Sequence, residues 1–257
     1  MIRVVVYCTK FLVAIIAALL LSSCNPMLNG VDGNGNVTTE VRNITGKFTA
    51  VQASAGIEVE MKQDSTAKVE VEADSNLLEF VKTELEGETL KVYIDKSISG
   101  AKELKVYIHM PELKKVTSSS GANVLLTGTF VGTNLVMDSS SGAHLEGKVE
   151  YDTVDAETSS GSSMDIKGIA LKLKTSSSSG STLNAKGLLA NDVNADASTG
   201  SESSVNARVY PTPLIRLNAW GAVFETLTYL FFCVKDPGFG WDFFLSHYNA
   251  KQTLNLL

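Results

Sequence analysis

KVTSSSGANVLLTG, residues 115–128, places three serines and a glycine between a valine and a short apolar run. Taken alone, this pattern is typical of a flexible loop, since serine and glycine compete with regular backbone structure. The tetrapeptide Ser118–Gly121 nevertheless has near-copies, which lie at 139–142, 158–161, 177–180 and 197–200. From Gly121 onward, the glycines are 21, 19, 19 and 20 residues apart. A period this even predicts stacked coils of about 20 residues.

The residues around each glycine alternate as strand geometry requires. Odd offsets from the glycine are mostly apolar and should point inward, whereas even offsets should point outward. The position three residues after glycine holds Val124, Leu145, Met164 and Leu183. The position seven before the last four glycines holds Leu135, Val154, Leu173 and Val193. The sequence therefore predicts an all-β fold, a β-helix or β-solenoid with Ser-Ser-Gly coils of about 20 residues.

The segment before the repeat also favours strands. Ala53–Gly56 precedes Val59 and Met61 at the same offsets, so we expect an earlier coil that an insertion separates from the others. Alternating residues around Val69 predict a strand within the insertion. Between the strands, Asp74 and Ser75 could cap a short helix that ends at Gly87.

The N-terminus has the order of a lipoprotein export signal. Arg3 and Lys10 give a positive region, and residues 11–21 form an apolar core that is short for a membrane span. The core ends in Leu-Ser-Ser-Cys, which resembles a bacterial lipobox, so we predict a signal peptide over 1–23 and lipid attachment at Cys24. Residues 24–40 are rich in Asn and Gly and predict a flexible tether.

Cysteines, charge and motifs exclude several classes of site. Once Cys8 leaves with the signal and Cys24 is lipidated, Cys233 alone cannot form a disulfide framework or a metal cluster, and we expect no metal and no cofactor. Residues 32–36 begin like a calcium loop, but Val37 and Asn43 occupy its sixth and twelfth positions, where Gly and Glu are needed. The net charge of −6 and the pI near 5.2 argue against nucleic acid.

Order and spacing together resemble a known family. The lipobox, the strand-rich stretch KVEVEADSNLLEFVKTELEGETLKVYI (68–94) and the Ser-Ser-Gly coils are similar to the head domain of auto-transporter adhesins, the GIN domain, found in envelope proteins common in Bacteroidetes. The resemblance covers residues 41–206. It implies a right-handed β-helix and an adhesive role, and it supplies no catalytic residues.

The tail, residues 207–257, departs from the repeat. It holds 11 of the 19 aromatic residues and none of the Ser-Gly corners. It could be a cap on the open solenoid end, or a membrane helix over 214–234, which Arg216 and Glu225 disfavour. The third interpretation, which we favour on composition, is a frame change in the gene. It requires further Ser/Thr-Gly coils in another reading frame near codon 206.

Two outward columns are candidate ligand sites. Four residues before successive glycines stand Thr117, Asp138, Glu157, Ser176 and Asp196. Stacking should bring Asp138 and Glu157 to about 5 Å, close enough to raise a pKa or bind a cation. The preferred interpretation is a solvated face whose charges discourage aggregation. Asn123, His144, Ser163 and Thr182 form a second column that could hydrogen-bond a glycan.

Catalytic motifs are weak. The serines lie in repeated turns, and Ser99–Lys102 matches S-x-x-K without its companion motifs. We therefore expect a non-enzymatic lipoprotein of the bacterial cell envelope that is anchored in the outer membrane, faces either the periplasm or the outside, and binds a surface glycan or protein. The alternatives are a polysaccharide-active enzyme that uses Asp138 and Glu157, and a structural or sensory component without an external ligand. The oligomeric state is left open.

Overall fold

The computed structural model describes residues 30–207, Lys10 and the backbone of four strands between 215 and 246. The strands are β1 Val31–Asp32, β2 Val37–Arg42, β3 Ala50–Ala53, β4 Glu58–Gln63, β5 Lys68–Asp74, β6 Val81–Glu86, β7 Thr89–Ile94, β8 Ile98–Gly100, β9 Leu104–Met110, β10 Lys115–Ser118, β11 Asn123–Ser139, β12 His144–Thr158, β13 Ser163–Ser177, β14 Thr182–Ser198, β15 Glu202–Ala207, β16 Ile215–Trp220, β17 Val223–Thr226, β18 Leu230–Asp236 and β19 Gly240–Ser246. Among these described residues, no helix has the length and hydropathy needed to cross a membrane.

The repeat folds as predicted into a β-solenoid whose coils of about 20 residues stack in parallel. Register is kept from coil to coil, so that Val124 pairs with Leu145 and Leu145 with Met164. The earlier coil is also confirmed, because β3 pairs with β10 through Ala53 and Ser118, while β4 pairs with β11 through Val59 and Val124.

The coils turn a second time, for example near Gly128, Gly168 and Gly187, but this turn does not divide them into short strands. Instead, β11 to β14 run for 15 or 17 residues each and bend without ending. The strand register shifts at the bend, for example between Leu126 and Thr129. We call this second turning region the bend side, and it comprises residues 127–132, 148–151, 167–170 and 187–190.

The insertion forms the N-terminal end of the solenoid. β7 stacks in parallel on β3, and β9 stacks in parallel on β4, so together they supply one further coil level. The antiparallel strands β6, β5 and β2 then cover this level. Antiparallel covering closes the end of the parallel stack, where unpaired strand edges would otherwise invite association.

Two sequence-based expectations fail in this region. The helix proposed between Asp74 and Gly87 is wrong: only a 3-10 turn, Leu78–Phe80, forms, and β6 follows it. Val81, Thr83 and Leu85 of β6 pair with β7 in an antiparallel hairpin. The turn of this hairpin contains Gly87 at φ +60°. The folded part also begins before residue 41, because β2 pairs with β5 within the stretch predicted as tether.

The core runs along the inside of the solenoid as columns of equivalent residues. Val124, Leu145, Met164 and Leu183 are at most 1% exposed, and Leu135, Val154, Leu173 and Val193 at most 2%. Ser203, which replaces the apolar residue in the fifth coil, is buried as well. The predicted inward and outward alternation is therefore confirmed.

Strands continue beyond residue 207. β16 pairs in parallel with β14, and β17 pairs with β15, so both extend the existing ladders. β18 and β19 form an antiparallel hairpin. The membrane helix considered over 214–234 is therefore wrong. The proposed frame change in the gene stays a prediction, which the nucleotide sequence can decide.

Candidate functional site

The Ser-Gly tetrapeptides form a row of tight corners along one edge of the solenoid. In each, a residue with φ between 51° and 61° is followed by a glycine with φ between 68° and 74°. The amide of Ala122 donates to the carbonyl of Ser119 (3.1 Å), and the later corners repeat this bond. Two successive positive φ angles with such a bond define a type I′ turn. The paired residues of this corner row are Ala55–Gly56, Ser120–Gly121, Ser141–Gly142, Ser160–Gly161, Ser179–Gly180 and Thr199–Gly200.

Glycine is required in the corner row for its conformation. A Cβ added at Gly121 or Gly161 would meet nothing within 4 Å, so crowding does not exclude a side chain. The positive φ instead favours glycine, because this conformation is strained for a residue with a Cβ. The amides of the first five corner glycines also donate to the next corner, as Gly121 does to Ser141 (3.1 Å). The corners are therefore linked from coil to coil.

Buried hydroxyls satisfy the polar backbone just inside the corners. Ser118 Oγ donates to the carbonyl of Ala122 (2.9 Å). In later corners the hydroxyl of the residue after glycine satisfies the backbone. Ser162 Oγ donates to the carbonyl of Ser139 (2.7 Å) and accepts from the amide of Ser159 (3.2 Å). The buried hydroxyls beside the corners are thus structural, in keeping with the local hydrogen-bonding role expected of the serines.

The predicted glycan column exists as a continuous outward ladder. Asn123 pairs with His144, His144 with Ser163, and Ser163 with Thr182. His144 Nδ1 and Ser163 Oγ are 2.7 Å apart and share a hydrogen bond. The column leaves donors and acceptors at every coil level, which suits a ligand with many hydroxyl groups.

A charged cluster beside this column is absent from the sequence-based prediction. Lys167 Nζ lies 3.0 Å from Glu146 Oε1 and 3.5 Å from Asp165 Oδ1. Its hydrogen bond with Glu146 and the nearby acidic charges raise the pKa of Lys167. Asn184 Nδ2 also donates to Asp165 (2.7 Å). The sequence does contain a signal for this cluster, because all four residues lie at even offsets from the corner glycines of neighbouring coils.

The second predicted column places its two acids side by side. Asp138 and Glu157 are register partners on β11 and β12. Asp138 Oδ2, however, is 2.7 Å from Lys115 Nζ, while Glu157 is exposed. An ion-paired aspartate beside a solvated glutamate lacks the burial that tunes a catalytic carboxyl pair. Cys24, the predicted lipid attachment site, lies outside the described residues.

A cavity opens at the start of the corner row. Its volume is about 590 Å³, and it lies where the loop after β7 passes under the first corner. Its walls include Ala55, Ile94, Ile98 and Leu104. None of the predicted column residues lines it. Within the part of the chain that the structure describes, no three His, Cys, Asp or Glu side chains converge as a metal cluster would need.

Comparison with known proteins agrees with this architecture. The family model described as putative auto-transporter adhesin, head GIN domain, matches residues 47–212. The chain belongs to this family. The resemblance seen in the sequence is thereby confirmed. No curated protein matches the chain.

Several solved structures are similar to this chain. A crystal structure named as a putative adhesin from Bacteroides fragilis has a TM-score of 0.68 at 15% identity, covering 77% of this chain and 100% of its own. A second, from Parabacteroides merdae, has a TM-score of 0.58 at 16% identity, with 78% and 100% covered. A third, named as a putative lipid binding protein from Parabacteroides distasonis, has a TM-score of 0.58 at 14% identity, with 78% and 100% covered. At these identities the similarity shows the fold alone.

Proposed function

We propose that this protein is a lipid-anchored, non-enzymatic adhesin of the bacterial cell envelope. Its solenoid presents the column Asn123, His144, Ser163 and Thr182 to a surface glycan or protein. The observation that carries the proposal is the unbroken register of this column over four coil levels. The family description, adhesin head domain, supports the same role.

Binding would be multivalent. Parallel coils repeat at about 4.8 Å, so equivalent polar groups recur at a fixed spacing. A rigid array keeps individually weak contacts in register with a repeating ligand, which raises the overall affinity without any single strong contact. The hydrogen bond between His144 and Ser163 helps to fix the orientation of the imidazole at the centre of the column.

The first experiment tests the location. Intact cells that express the full chain are treated with an external protease, and lysed cells serve as the accessible control. We expect the solenoid to be cleaved or released from intact cells. Cleavage only after lysis would show a periplasmic protein, and it would contradict the adhesin proposal.

The second experiment tests the surface. The mature protein is applied to a glycan array, and the variant N123A/H144A/T182A is compared with it. We expect at least a tenfold loss of binding in this variant, since each polar contact contributes about 1 kcal/mol. The matched control D138N/E157Q, on the other column, should bind normally. Equal loss in both variants would contradict the assignment.

Turnover of acidic polysaccharides by the same protein preparation tests the enzymatic alternative. The register pairing of Asp138 and Glu157 is the observation in its favour. The ion pair with Lys115 weighs against it, because it holds one carboxylate in a structural contact. Turnover that disappears in Asp138→Asn would replace our proposal with the enzyme.

A further inference from the structure

Three loops meet at the N-terminal end of the solenoid and form what we call the loop junction. They are residues 32–36 after β1, 74–76 at the end of β5, and 100–102 before β9. Side chains join them: Asn76 Oδ1 accepts from the amide of Asn34 (2.9 Å), and Asn76 Nδ2 donates to the carbonyl of Asp32 (2.8 Å). The loops therefore have a fixed arrangement.

Asp74 is a buried acid at the centre of the loop junction. Its side chain is 0% exposed. One oxygen, Oδ2, accepts from the amide of Lys102 (2.6 Å), whereas Oδ1 has no hydrogen-bond partner among the described residues. The ammonium group of Lys102 points to the carbonyl of Gly35 (3.5 Å). A buried carboxylate without a countercharge is unfavourable, so this environment calls for a positive ligand.

Backbone and carboxylates crowd together here. A Cβ on Gly33 would collide with Oδ2 of Asp74, so glycine lets the 32–36 loop lie directly on this carboxylate. The same Cβ would be 3.2 Å from the Cα of Ala101. Oδ1 of Asp32 lies 3.9 Å from the position of a Cβ on Gly100, at the start of the stretch 100–102 whose Lys102 amide donates to Asp74. Both acids therefore flank the short stretch 100–102.

We propose that the loop junction is a calcium site, with Asp74 and Asp32 as its carboxylate ligands. Further oxygens of the 32–36 loop would complete the coordination. Hard cations prefer oxygen ligands, and calcium accepts irregular sets of six to eight of them, whereas magnesium demands a near-ideal octahedron. The sequence motif at 32–36 fails as a calcium loop by itself, and Asp74 supplies from a distant strand the carboxylate that it lacks.

The site would stabilise the cover of the solenoid. Calcium would bind β1 and the start of β2 to the end of β5, so the antiparallel cover would be firm outside the cell and looser without calcium. With two carboxylates, we expect a dissociation constant near those of extracellular calcium modules, about 10⁻⁴–10⁻³ M. This inference does not depend on the proposed adhesive role.

Thermal unfolding of the full mature protein tests the proposal. The midpoint is measured in EDTA, in about 10 mM calcium and in magnesium at equal ionic strength. We expect calcium to raise it by about 3–6 °C, the shift that a ligand at ten or more times its dissociation constant gives to a domain of this size. Magnesium should have little effect. An equal shift with both ions would indicate a general salt effect and would overturn the proposal.

Variants identify the ligands. Asp74→Asn should abolish the calcium-dependent shift, while the matched control Asp64→Asn, at an exposed aspartate, should keep it in full. Because Asp74 is buried, circular dichroism must first show that its variant folds. Asp32→Asn, at an exposed position, should weaken calcium binding at least tenfold in titration calorimetry whether or not Asp74→Asn folds. No calcium effect on the unmodified protein, or unchanged binding by Asp32→Asn, would overturn the site.

Discussion

The corner row and the bend side turn the same coils in two different ways. At the corner row, every coil uses a positive-φ residue, a glycine and the same hydrogen bonds to its neighbours. On the bend side the pairing shifts at different points in different coils, between Leu126 and Thr129 in one and between Ala185 and Leu189 in another. The turns are therefore regular from coil to coil only at the corner row.

The causes of the two turns also differ. Corner glycines have open space around them, so their backbone angle alone selects them. On the bend side a Cβ on Gly168 would collide with the backbone carbonyl of Val149, and a Cβ on Gly132 would meet the ring of Tyr151 at 2.5 Å. Local conformation alone selects the corner glycines, whereas at Gly132 and Gly168 contacts from a neighbouring coil also exclude a side chain.

The largest effect should come from the core of the bend side. Phe130 is 0% exposed and pairs with Val149. Phe130→Ala should lower the free energy of unfolding by about 3–5 kcal/mol, because it removes buried apolar surface and leaves a cavity. Urea unfolding measures this loss. Val131→Ala, at a neighbour that is 54% exposed, is the control and should change it by less than about 0.5 kcal/mol.

Tyr151 gives the bend side a response to alkaline pH. Burial, with a smaller effect of the Glu112 charge, raises the pKa of Tyr151 to about 12. The folded protein thus keeps a phenolic proton that the unfolded chain loses near pH 10. Below pH 10 the ionisation of Tyr151 takes nothing from the free energy of unfolding. As the pH rises from 10 to 12, the free energy of unfolding should fall by about 2–3 kcal/mol.

Urea unfolding at several pH values compares Tyr151→Phe with the unmodified protein. The variant should lose about 1 kcal/mol at neutral pH, because Tyr151 Oη donates to the carbonyl of Leu113 (2.8 Å), but its alkaline decline should be shallower. Equal slopes in the two proteins would show that the phenol is not buried in solution.

Replacing a glycine in each region compares backbone strain alone with strain plus crowding. Gly168→Ala should cost about 2–3 kcal/mol, because Gly168 has a φ of +122° and the new methyl group also collides with backbone that cannot move aside. Gly161→Ala should cost about 1–2 kcal/mol, from its positive φ alone. Thermal or urea unfolding of the two variants shows which substitution costs more stability. The reverse order would refute the distinction between crowding and conformation.

A more local effect concerns the buried hydroxyls of the corner row. Ser162→Ala leaves the amide of Ser159 without its side-chain acceptor and should cost about 1–2 kcal/mol. The control is Ser160→Ala, at an exposed corner residue, which should be nearly neutral. Amide hydrogen exchange should show faster opening next to residue 162 alone. If both variants behave alike, the hydroxyl does not stabilise the corner.

Sequence periodicity predicted the stack, and it also predicted both outward columns. The outward positions of residues such as His144 and Ser163 can be predicted by counting from the corner glycines, because strand geometry determines which offsets face outward. Their 2.7 Å hydrogen bond does not follow from counting, since it depends on side-chain orientation. The ion pair between Lys115 and Asp138 was likewise missed, as it joins a residue of the first Ser-Gly coil to one of the next.

By itself, then, the sequence determined the coil length, the inward columns and the corner row, because a glycine at positive φ is a local requirement that recurs with the fold. Only the tertiary structure decided the bend side, the strand β6 in place of a helix, and the burial of Asp74. Each of these depends on residues far apart in the chain: β6 on its pairing with β7, the bend on the coil below, and Asp74 on loops that meet only after folding. Local propensity cannot encode such contacts, since tertiary packing overrides it.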